Sequence, residues 1–215
     1  FKDLIGNTME VYVDDLLVKS KIEVDHLEHL AGSFTILQKF SMKLNPAKCA
    51  FGVSSGKFLG HLVSRRGIEA NPEKIQVVIK MKSPRTMKKV QSLAGRVAAL
   101  NRFVSRATDR CLPFFKILRK AFEWSEECEK AFQELKKYLA SPPLLSTPVP
   151  REELFLYLAV SQSAVSSALV REEHEIQYPI YYTSRALQGA ESRYPRIEKL
   201  AFALITSARQ LRPYF

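Results

Sequence analysis

Apolar and polar residues recur with two different periods along the 215-residue chain, one typical of strands and one typical of helices. Near its beginning, two short apolar runs flank an adjacent pair of acids, Asp14 and Asp15. Such runs favour strands and aspartate tolerates turns, so the pattern predicts a β-hairpin with the acids at its tip. Neighbouring side chains of an extended strand point to opposite faces, so the two carboxylates reach one site only if the chain turns between the runs.

Helical spacing of apolar residues dominates the middle of the chain. It predicts a helix over residues 25–40, a second that begins at Asn71 and Pro72, a third that opens at Thr86, and a fourth over residues 126–139. The residues expected to face inward are Leu27, Leu30, Phe34 and Leu37, then Ile75, Val78 and Ile79, then Val90, Leu93, Ala94, Val97 and Leu100, and finally Ala131, Phe132, Leu135 and Leu139. Trp124 is expected to be a packing anchor rather than a platform for stacked bases.

Two further segments favour strands. Residues 56–63 are predicted as a strand with Gly60 inside it, which marks either close approach to a ligand or relief of packing in a core hairpin. After a segment with four prolines in ten residues, interpreted as an extended linker, three strand-like runs cover residues 154–160, 165–171 and 176–183. A last helix is predicted over 195–211 with Ile197, Leu200, Ala201, Leu204 and Ala208 inward.

The net charge of +11 is concentrated in one segment. Between Lys74 and Lys120 there are 13 basic residues and one acid, Asp109, a balance of +12; the rest of the chain holds 20 basic and 21 acidic residues, a balance of −1. A concentrated basic field is typical of a polyanion-binding surface, whereas a merely solvated helical surface would mix the two signs. The segment therefore predicts nucleic acid as a partner.

Composition narrows the class of protein. No apolar run approaches the ~20 residues of a membrane span, so no membrane partner is expected. The three cysteines are scattered, which predicts reduced thiols in an intracellular protein. His26 and His29, three residues apart, have no further ligand nearby and are expected on a solvated face rather than in a metal site. The first residues lack an initiator Met and any signal peptide, which predicts a fragment of a larger product.

Several blocks in order resemble the gypsy class of LTR retrotransposon reverse transcriptases, especially those of plants. Tyr12-Val13-Asp14-Asp15 is similar to the family's YxDD signature. The other blocks are MKLNPAKC at 42–49, KFLGH at 57–61, GIEANP at 67–72 and ALNRF at 99–103. The resemblance covers essentially the whole chain.

This resemblance implies an α+β fold in four parts. They are the C-terminal part of a reverse-transcriptase palm (residues 1–71), a helical thumb and connection (72–141), a Pro-rich linker (142–150) and an incomplete ribonuclease H-like sheet plus helix (151–215). The implied location is intracellular, in a cytoplasmic virus-like particle or the nucleus.

The resemblance also implies the site residues. Asp14 and Asp15 would be catalytic ligands of Mg²⁺ in a two-metal site, and a third aspartate would come from a missing upstream polymerase half. Residues near the primer or the incoming deoxynucleoside triphosphate would be Tyr12, Lys48, Phe58, Leu59, Gly60 and His61. Contacts to backbone phosphates of the RNA/DNA primer–template would come from Lys88, Lys89, Arg96 and Arg102.

The last segment departs from active ribonuclease H domains. Ala159 occupies the place of the first-strand acid, and Leu200 the place of the helix glutamate, unless a shifted register puts Glu198 there. RNA cleavage is therefore not expected, and the isolated chain is not expected to polymerise. The alternatives are a non-enzymatic nucleic-acid-binding or tether remnant of a decayed element, and a translated pseudogene product without a role.

Overall fold

A computed structural model of the chain describes residues 1–118 and 122–214. It consists of two compact units, Phe1–Arg65 and Arg66–Phe215. Arg119 and Lys120, which belong to the basic segment, lie outside the described residues.

The first unit contains two antiparallel hairpins and one helix. Its elements are β1 (Met9–Tyr12), β2 (Asp15–Val18), α1 (His26–Lys39), β3 (Ser55–Phe58) and β4 (His61–Ser64). The hairpin predicted around the acid pair is confirmed, and so is the helix. The inward face predicted for α1 is wrong in part, because Leu27 and Phe34 are exposed and only Leu37 of that set is buried. Residues 56–63 are a hairpin, so the prediction of a continuous strand with Gly60 inside it is also wrong.

The first part of the second unit is a helical core. Its elements are β5 (Gly67–Ala70), α2 (Pro72–Ile79), α3 (Met87–Ala98), α4 (Ala107–Arg110), α5 (Leu112–Ile117) and α6 (Glu126–Ala140). Local chemistry fixes the helix starts: Asn71 Oδ1 accepts from the Glu73 amide at 2.9 Å, as expected of an N-cap followed by proline. The predicted inward residues Val90, Leu93, Val97, Phe132, Leu135 and Leu139 are all buried.

Aromatic packing centres this core. The ring of Trp124 stacks on Phe114 with centroids 5.8 Å apart, and both rings lie nearly perpendicular to the Phe132 ring. Trp124 Nε1 donates to Glu129 Oε2 at 2.8 Å, which satisfies the polar end of the indole. Trp124 is therefore a packing anchor, as predicted.

A three-stranded antiparallel sheet with one helix follows. Its elements are β6 (Leu154–Val160), β7 (Ala164–Glu173), β8 (Ile176–Ala186) and α7 (Arg196–Gln210), and the strand order is β6-β7-β8. The predicted β6 is confirmed at both ends, whereas β7 and β8 extend further than predicted. Two small apolar clusters, around Val165 and around Leu169, fill the space within this sheet and helix layer.

The Pro-rich segment before this sheet is packed rather than free. Leu145 is fully buried, and it exchanges two backbone hydrogen bonds with Ile68, at 2.8 and 3.0 Å. The Ser146 amide donates to the Pro179 carbonyl at 2.7 Å. These bonds join the segment to β5 on one side and to β8 on the other.

The inward face predicted for α7 is wrong. Ile197 is 72% exposed and Leu204 49%, while the buried positions are Lys199, Ala203, Ser207 and, just after the helix, Leu211. Small side chains at four-residue spacing let the helix approach the sheet closely, and the buried Lys199 Nζ donates to the Gln162 carbonyl at 3.4 Å. The larger apolar residues of α7 consequently form an exposed stripe.

Two substitutions test which face of α7 is buried. Replacing Ile197 by Gln should change the free energy of unfolding of the 215-residue chain by less than about 0.5 kcal/mol, because the side chain is exposed. Replacing Leu211 by Ala should cost about 2–5 kcal/mol, because that side chain is fully buried. Urea unfolding measures both free energies. A larger loss of stability for the Ile197 variant than for the Leu211 variant would contradict this assignment of the buried face.

Candidate nucleic-acid interface

The acid pair occupies the tip of the first hairpin. Tyr12 pairs with Asp15 across the strands, so Val13 and Asp14 form a two-residue loop. Residues directly opposite in an antiparallel pair point to the same face, so Tyr12 and Asp15 share one face next to Asp14. All three side chains are exposed to solvent. Both carboxylates are therefore accessible to solvent at the tip of one hairpin.

The turn has an unfavourable backbone conformation. Val13 has a φ of 49°, in the left-handed region that β-branched residues rarely adopt, and its side chain is 81% exposed. No buried contact accounts for a valine there. Strain of this kind costs about 1–3 kcal/mol and clusters at functional turns. The tip of the first hairpin therefore combines two exposed carboxylates with a strained backbone.

The second hairpin has a tight turn of its own. Leu59 and Gly60, with φ of 51° and 73°, connect Phe58 to His61, and positive φ at both loop positions defines a type I′ turn. The exposed Leu59 side chain projects from the tip. A Cβ built on Gly56 would lie 3.9 Å from Leu17 Cδ1, so β3 passes close to β2. The fold of the first unit therefore places the two hairpins beside each other.

Lys48 ends a short 3₁₀ helix, Pro46–Lys48, which Asn45 caps through its side-chain oxygen at 3.1 Å from the Ala47 amide. Its side chain is exposed. The nucleotide role implied for Lys48 stays a prediction.

The basic segment places three of the four predicted phosphate contacts on one exposed surface. Lys88, Lys89 and Arg96 are exposed on α3, whose opposite side buries Val90, Leu93 and Val97 in the core. None of the three forms an ion pair with an acid within the part of the chain that the structure describes. Their positive charge is therefore available to a partner.

Arg102 has a different environment. Its guanidinium lies over the Tyr181 ring, 4.5 Å from the centroid, and its NH2 group donates to the Tyr214 hydroxyl at 3.2 Å. Its buried Nε has no hydrogen-bond partner among residues 1–118 and 122–214. These contacts join the helical core to the sheet layer of the same unit, a structural use that the sequence did not indicate.

The two positions predicted to correspond to ribonuclease H acids have apolar side chains, which cannot bind a metal ion. Ala159 is exposed near the end of β6, and Leu200 is half-buried on α7. Glu198, the acid of the alternative register, is exposed on the first turn of the same helix. Within the described ranges, no group of three or more histidine, cysteine, aspartate or glutamate side chains is arranged to hold a metal ion.

Other reactive groups contribute no candidate chemistry. Burial raises the pKa of the Cys111 thiol to about 12, which makes it a poor nucleophile. His26 and His29 both approach the Ser20 hydroxyl through Nδ1, at 2.9 and 2.7 Å. Among the described residues, no helix has both the length and the apolar composition to cross a membrane.

Two family models match separate parts of the chain. Residues 1–63 match reverse transcriptase (RNA-dependent DNA polymerase), and residues 124–215 match the RNase H-like domain found in reverse transcriptase. The first match includes both hairpins, and the second includes α6 and the sheet layer.

Transposon polyproteins of Schizosaccharomyces pombe are similar to the chain along most of its length. The Tf2-3 polyprotein is 29% identical over 206 residues and the Tf2-7 polyprotein 28% identical over 206 residues. Each alignment covers 94% of this chain and 16% of the relative. The chain thus spans about a sixth of the length of these relatives.

Solved structures share the fold. The foamy viral protease-reverse transcriptase in complex with RNA/DNA hybrid superposes with a TM-score of 0.84 at 23% identity, covering 98% of this chain and 29% of that one. The same viral protein in complex with dsDNA superposes with a TM-score of 0.79 at 24% identity, covering 97% and 45%. At this identity the likeness establishes the α+β fold alone.

Proposed function

We propose that this homologue of the Tf2 polyproteins, with its reverse transcriptase and RNase H-like regions, is the part of a gypsy-class retrotransposon polymerase that grips primer–template duplex. It carries half of the nucleotidyl-transfer site, and its partners are the RNA/DNA primer–template, deoxynucleoside triphosphates and an upstream polymerase half. An intracellular location, in virus-like particles or the nucleus, follows from that role.

One observation carries the proposal. The exposed cations of α3 have no acidic partners in the described parts of the chain, and they occur in the segment that holds nearly all the excess positive charge. Phosphate contacts of this kind fix the position of a duplex without reading its sequence. Lys88, Lys89 and Arg96 are the proposed contacts, whereas Arg102 is better explained as part of the joint with Tyr181 and Tyr214.

The acid tip is proposed to hold Mg²⁺. Carboxylate oxygens are the hard ligands that this ion selects, and both Asp14 and Asp15 are accessible on one turn. Two carboxylates provide part of the ligand set, and the upstream half would complete it. When bound, the metal ions stabilise charge on the attacking and leaving oxygens of phosphoryl transfer.

The neighbouring residues would position the primer and the nucleotide. The Tyr12 ring, on the same face as Asp15, would lie at the primer terminus. The β3–β4 turn from Phe58 to His61 would hold the primer strand, since its exposed Leu59 projects from a tight turn beside β2. Lys48 would face the triphosphate.

The sheet layer would act as a structural domain rather than a nuclease. Ala159 and Leu200 cannot bind a metal ion, so the residues at the two acid positions leave no site for hydrolysis of RNA. The contacts of this layer with the helical core of its own unit are consistent with a role in stabilising the fold.

Duplex binding tests the proposal. The Lys88→Ala/Lys89→Ala/Arg96→Ala variant should bind a labelled primer–template duplex roughly 10²–10³-fold more weakly than the parent chain at about 0.1 M salt. The slope of log affinity against log salt should become shallower by about 2.7, because each phosphate contact contributes about 0.9. Fluorescence anisotropy over a salt series measures both quantities.

A charge-matched variant is the control. Lys130→Ala/Lys137→Ala/Arg209→Ala also removes three exposed cations from the same unit. Equal losses in the two variants would mean that only overall charge matters, and the proposed surface would be wrong.

A second function is a non-enzymatic nucleic-acid-binding module. It is favoured by the apolar residues Ala159 and Leu200 at the two positions predicted for ribonuclease acids. Both functions predict duplex binding, so only a test of synthesis separates them.

A further inference from the structure

A second cationic feature lies outside the exposed row on α3. The connection between α2 and α3, together with α6, encloses a recess of about 510 Å³. Five of the residues that line it are basic: Lys80, Lys82, Arg85, Lys89 and Lys136. Among the described residues that line it, none is acidic. Five like charges around one concavity repel each other unless an anion enters.

The lysine at the base of the recess is held in place. Lys136 Nζ donates to the Met81 carbonyl at 2.6 Å and lies over the Phe132 ring at 4.4 Å. Phe132 belongs to the fully buried core, so these contacts anchor the ammonium group at a defined position. The carbonyl and the ring orient this charge, and Lys136 forms no ion pair within 4 Å among the described residues, although it interacts electrostatically with Glu129.

Glu129, which accepts a hydrogen bond from the recess residue Ser83, also has other donors. Glu129 accepts hydrogen bonds from Gln133 at 2.7 Å and from Trp124 at 2.8 Å. The bonds from Gln133, Ser83 and Trp124, in that order of size, hold the pKa of this carboxyl below its ordinary value. Glu129 is therefore charged, and Lys136 interacts with it electrostatically. Lys82 and Arg85 form no ion pair with a carboxylate among the described residues.

The recess reaches the first turn of α3 through Lys89. Thr86 caps this 12-residue helix, and Lys88 and Lys89 follow in its first turn, where positive side chains oppose the helix dipole. Cations at this end are unfavourable for the helix alone. An anion bound in the recess would interact favourably with Lys89 and with the positive end of the helix dipole.

Lys80 connects this recess to the surface already assigned to the duplex. It also lines a neighbouring recess of about 520 Å³ that includes Arg96. Lys80 therefore lines both recesses: the one that holds Arg96, which also includes the acid Glu73, and the one that holds Lys82 and Arg85.

We propose that the recess is a phosphate subsite that binds a backbone phosphodiester group of the nucleic acid, with Lys82, Arg85 and Lys136 as its ligands. This inference rests on the proposed duplex binding and extends it by one more point of contact, across the α2–α3 connection. Arginine and lysine together suit phosphate oxygens, which accept several charge-assisted hydrogen bonds at once.

A paired substitution tests the subsite. The Lys82→Ala/Arg85→Ala variant should bind the primer–template duplex roughly 50-fold more weakly at about 0.1 M salt, and its salt slope should be shallower by about 1.8. The control variant Lys130→Ala/Lys137→Ala removes two exposed cations of α6 that lie outside the recess. Its duplex affinity should fall less than about threefold, because these cations contribute only to the overall electrostatic field. All four side chains are exposed, so the thermal unfolding midpoints should coincide.

The outcomes separate this inference from the proposed function. If the Lys88/Lys89/Arg96 variant loses binding but the Lys82/Arg85 variant behaves like its control, the subsite is wrong and the duplex surface stands. If neither variant differs from its control, both proposals fail.

Two further probes, used on the parent chain, address other anions. The first probe is inorganic pyrophosphate. If it protects Lys82 from acetylation while the paired variant leaves duplex affinity unchanged, the recess is a site for free phosphate and the inference is overturned. Protection of Lys82 by a polyglutamate peptide but not by duplex would overturn it in favour of an acidic protein partner.

Discussion

Replacing Asp14 by Asn should abolish DNA synthesis by a version of this protein extended through its upstream polymerase half, with a loss of about 10²–10⁴-fold. The amide keeps the size of the side chain but removes the negative charge that a divalent cation requires, and metal-ion stabilisation of phosphoryl transfer amounts to several kcal/mol. Primer extension on an RNA template measures the loss, and Asp15→Asn should behave similarly. Duplex affinity should be unchanged, because the acids are not proposed to contact the phosphates that α3 holds.

Asp3→Asn is the matched control. It makes the same chemical change at an exposed aspartate of the same unit and should retain full synthesis. If the extended protein does not synthesise DNA with either the parent or the control sequence, the non-enzymatic module is the better description. Full activity of the Asp14 variant would remove the acid tip from the catalytic site.

Replacing Gly67 by Ala should cost roughly 3–6 kcal/mol of unfolding free energy, which approaches the whole stability of many domains. Gly67 has a φ of +138°, and an added Cβ would lie 2.1 Å from the Leu145 carbonyl oxygen. That oxygen accepts the hydrogen bond from the Ile68 amide, so it cannot withdraw without breaking the joint between β5 and the Pro-rich segment. Strain and collision therefore add. Urea unfolding of the purified chain measures the loss.

Gly189→Ala separates the two causes. Gly189 also has a positive φ, +51°, but an added Cβ would meet no atom within 4 Å. Its loss should therefore be limited to backbone strain, about 1 kcal/mol. Equal losses at the two glycines would show that the contact with Leu145 is not what restricts residue 67.

The sequence predicts the elements well where a strong period coincides with burial. β6 alternates strictly between half-buried and exposed residues, and both its ends were predicted correctly. The inward faces of α2, α3 and α6 were also predicted, because each of them packs its largest apolar residues into one core. In these elements the local pattern and the tertiary environment agree.

The prediction fails where packing prefers small side chains. Hydropathy places Ile197 and Leu204 inward on α7, but the helix packs through Lys199, Ala203 and Ser207. A stripe of alanine, serine and the stem of a lysine has no strong signature in sequence, although it allows the closest approach to a sheet. The same limit explains why the exposed Leu27 and Phe34 of α1 were predicted to be buried.

The candidate site was predictable only in its local parts. Asp14 and Asp15 are adjacent in sequence, so their shared turn follows from the pattern around them. The cationic recess joins Lys82 and Arg85 to a lysine on α6, and the bond from Lys136 to Met81 spans 55 positions. No periodicity encodes such a pairing, and the strained φ of Val13 is equally invisible before the backbone is known.

The hydrogen bonds and ring contact between the helical core and the sheet layer limit which mutations the chain can tolerate. Ser161 donates to Asp109 Oδ1 at 2.7 Å, the Thr108 amide donates to Ser184 Oγ at 3.0 Å, and Arg102 lies against Tyr181. Deleting the sheet would strip partners from α4 and expose surface that the helices now share with it. Substitutions at exposed positions such as Ala159 leave this joint intact, whereas loss of the strands would remove it. The sheet layer is therefore constrained by its packing against the helices even where its surface residues can vary.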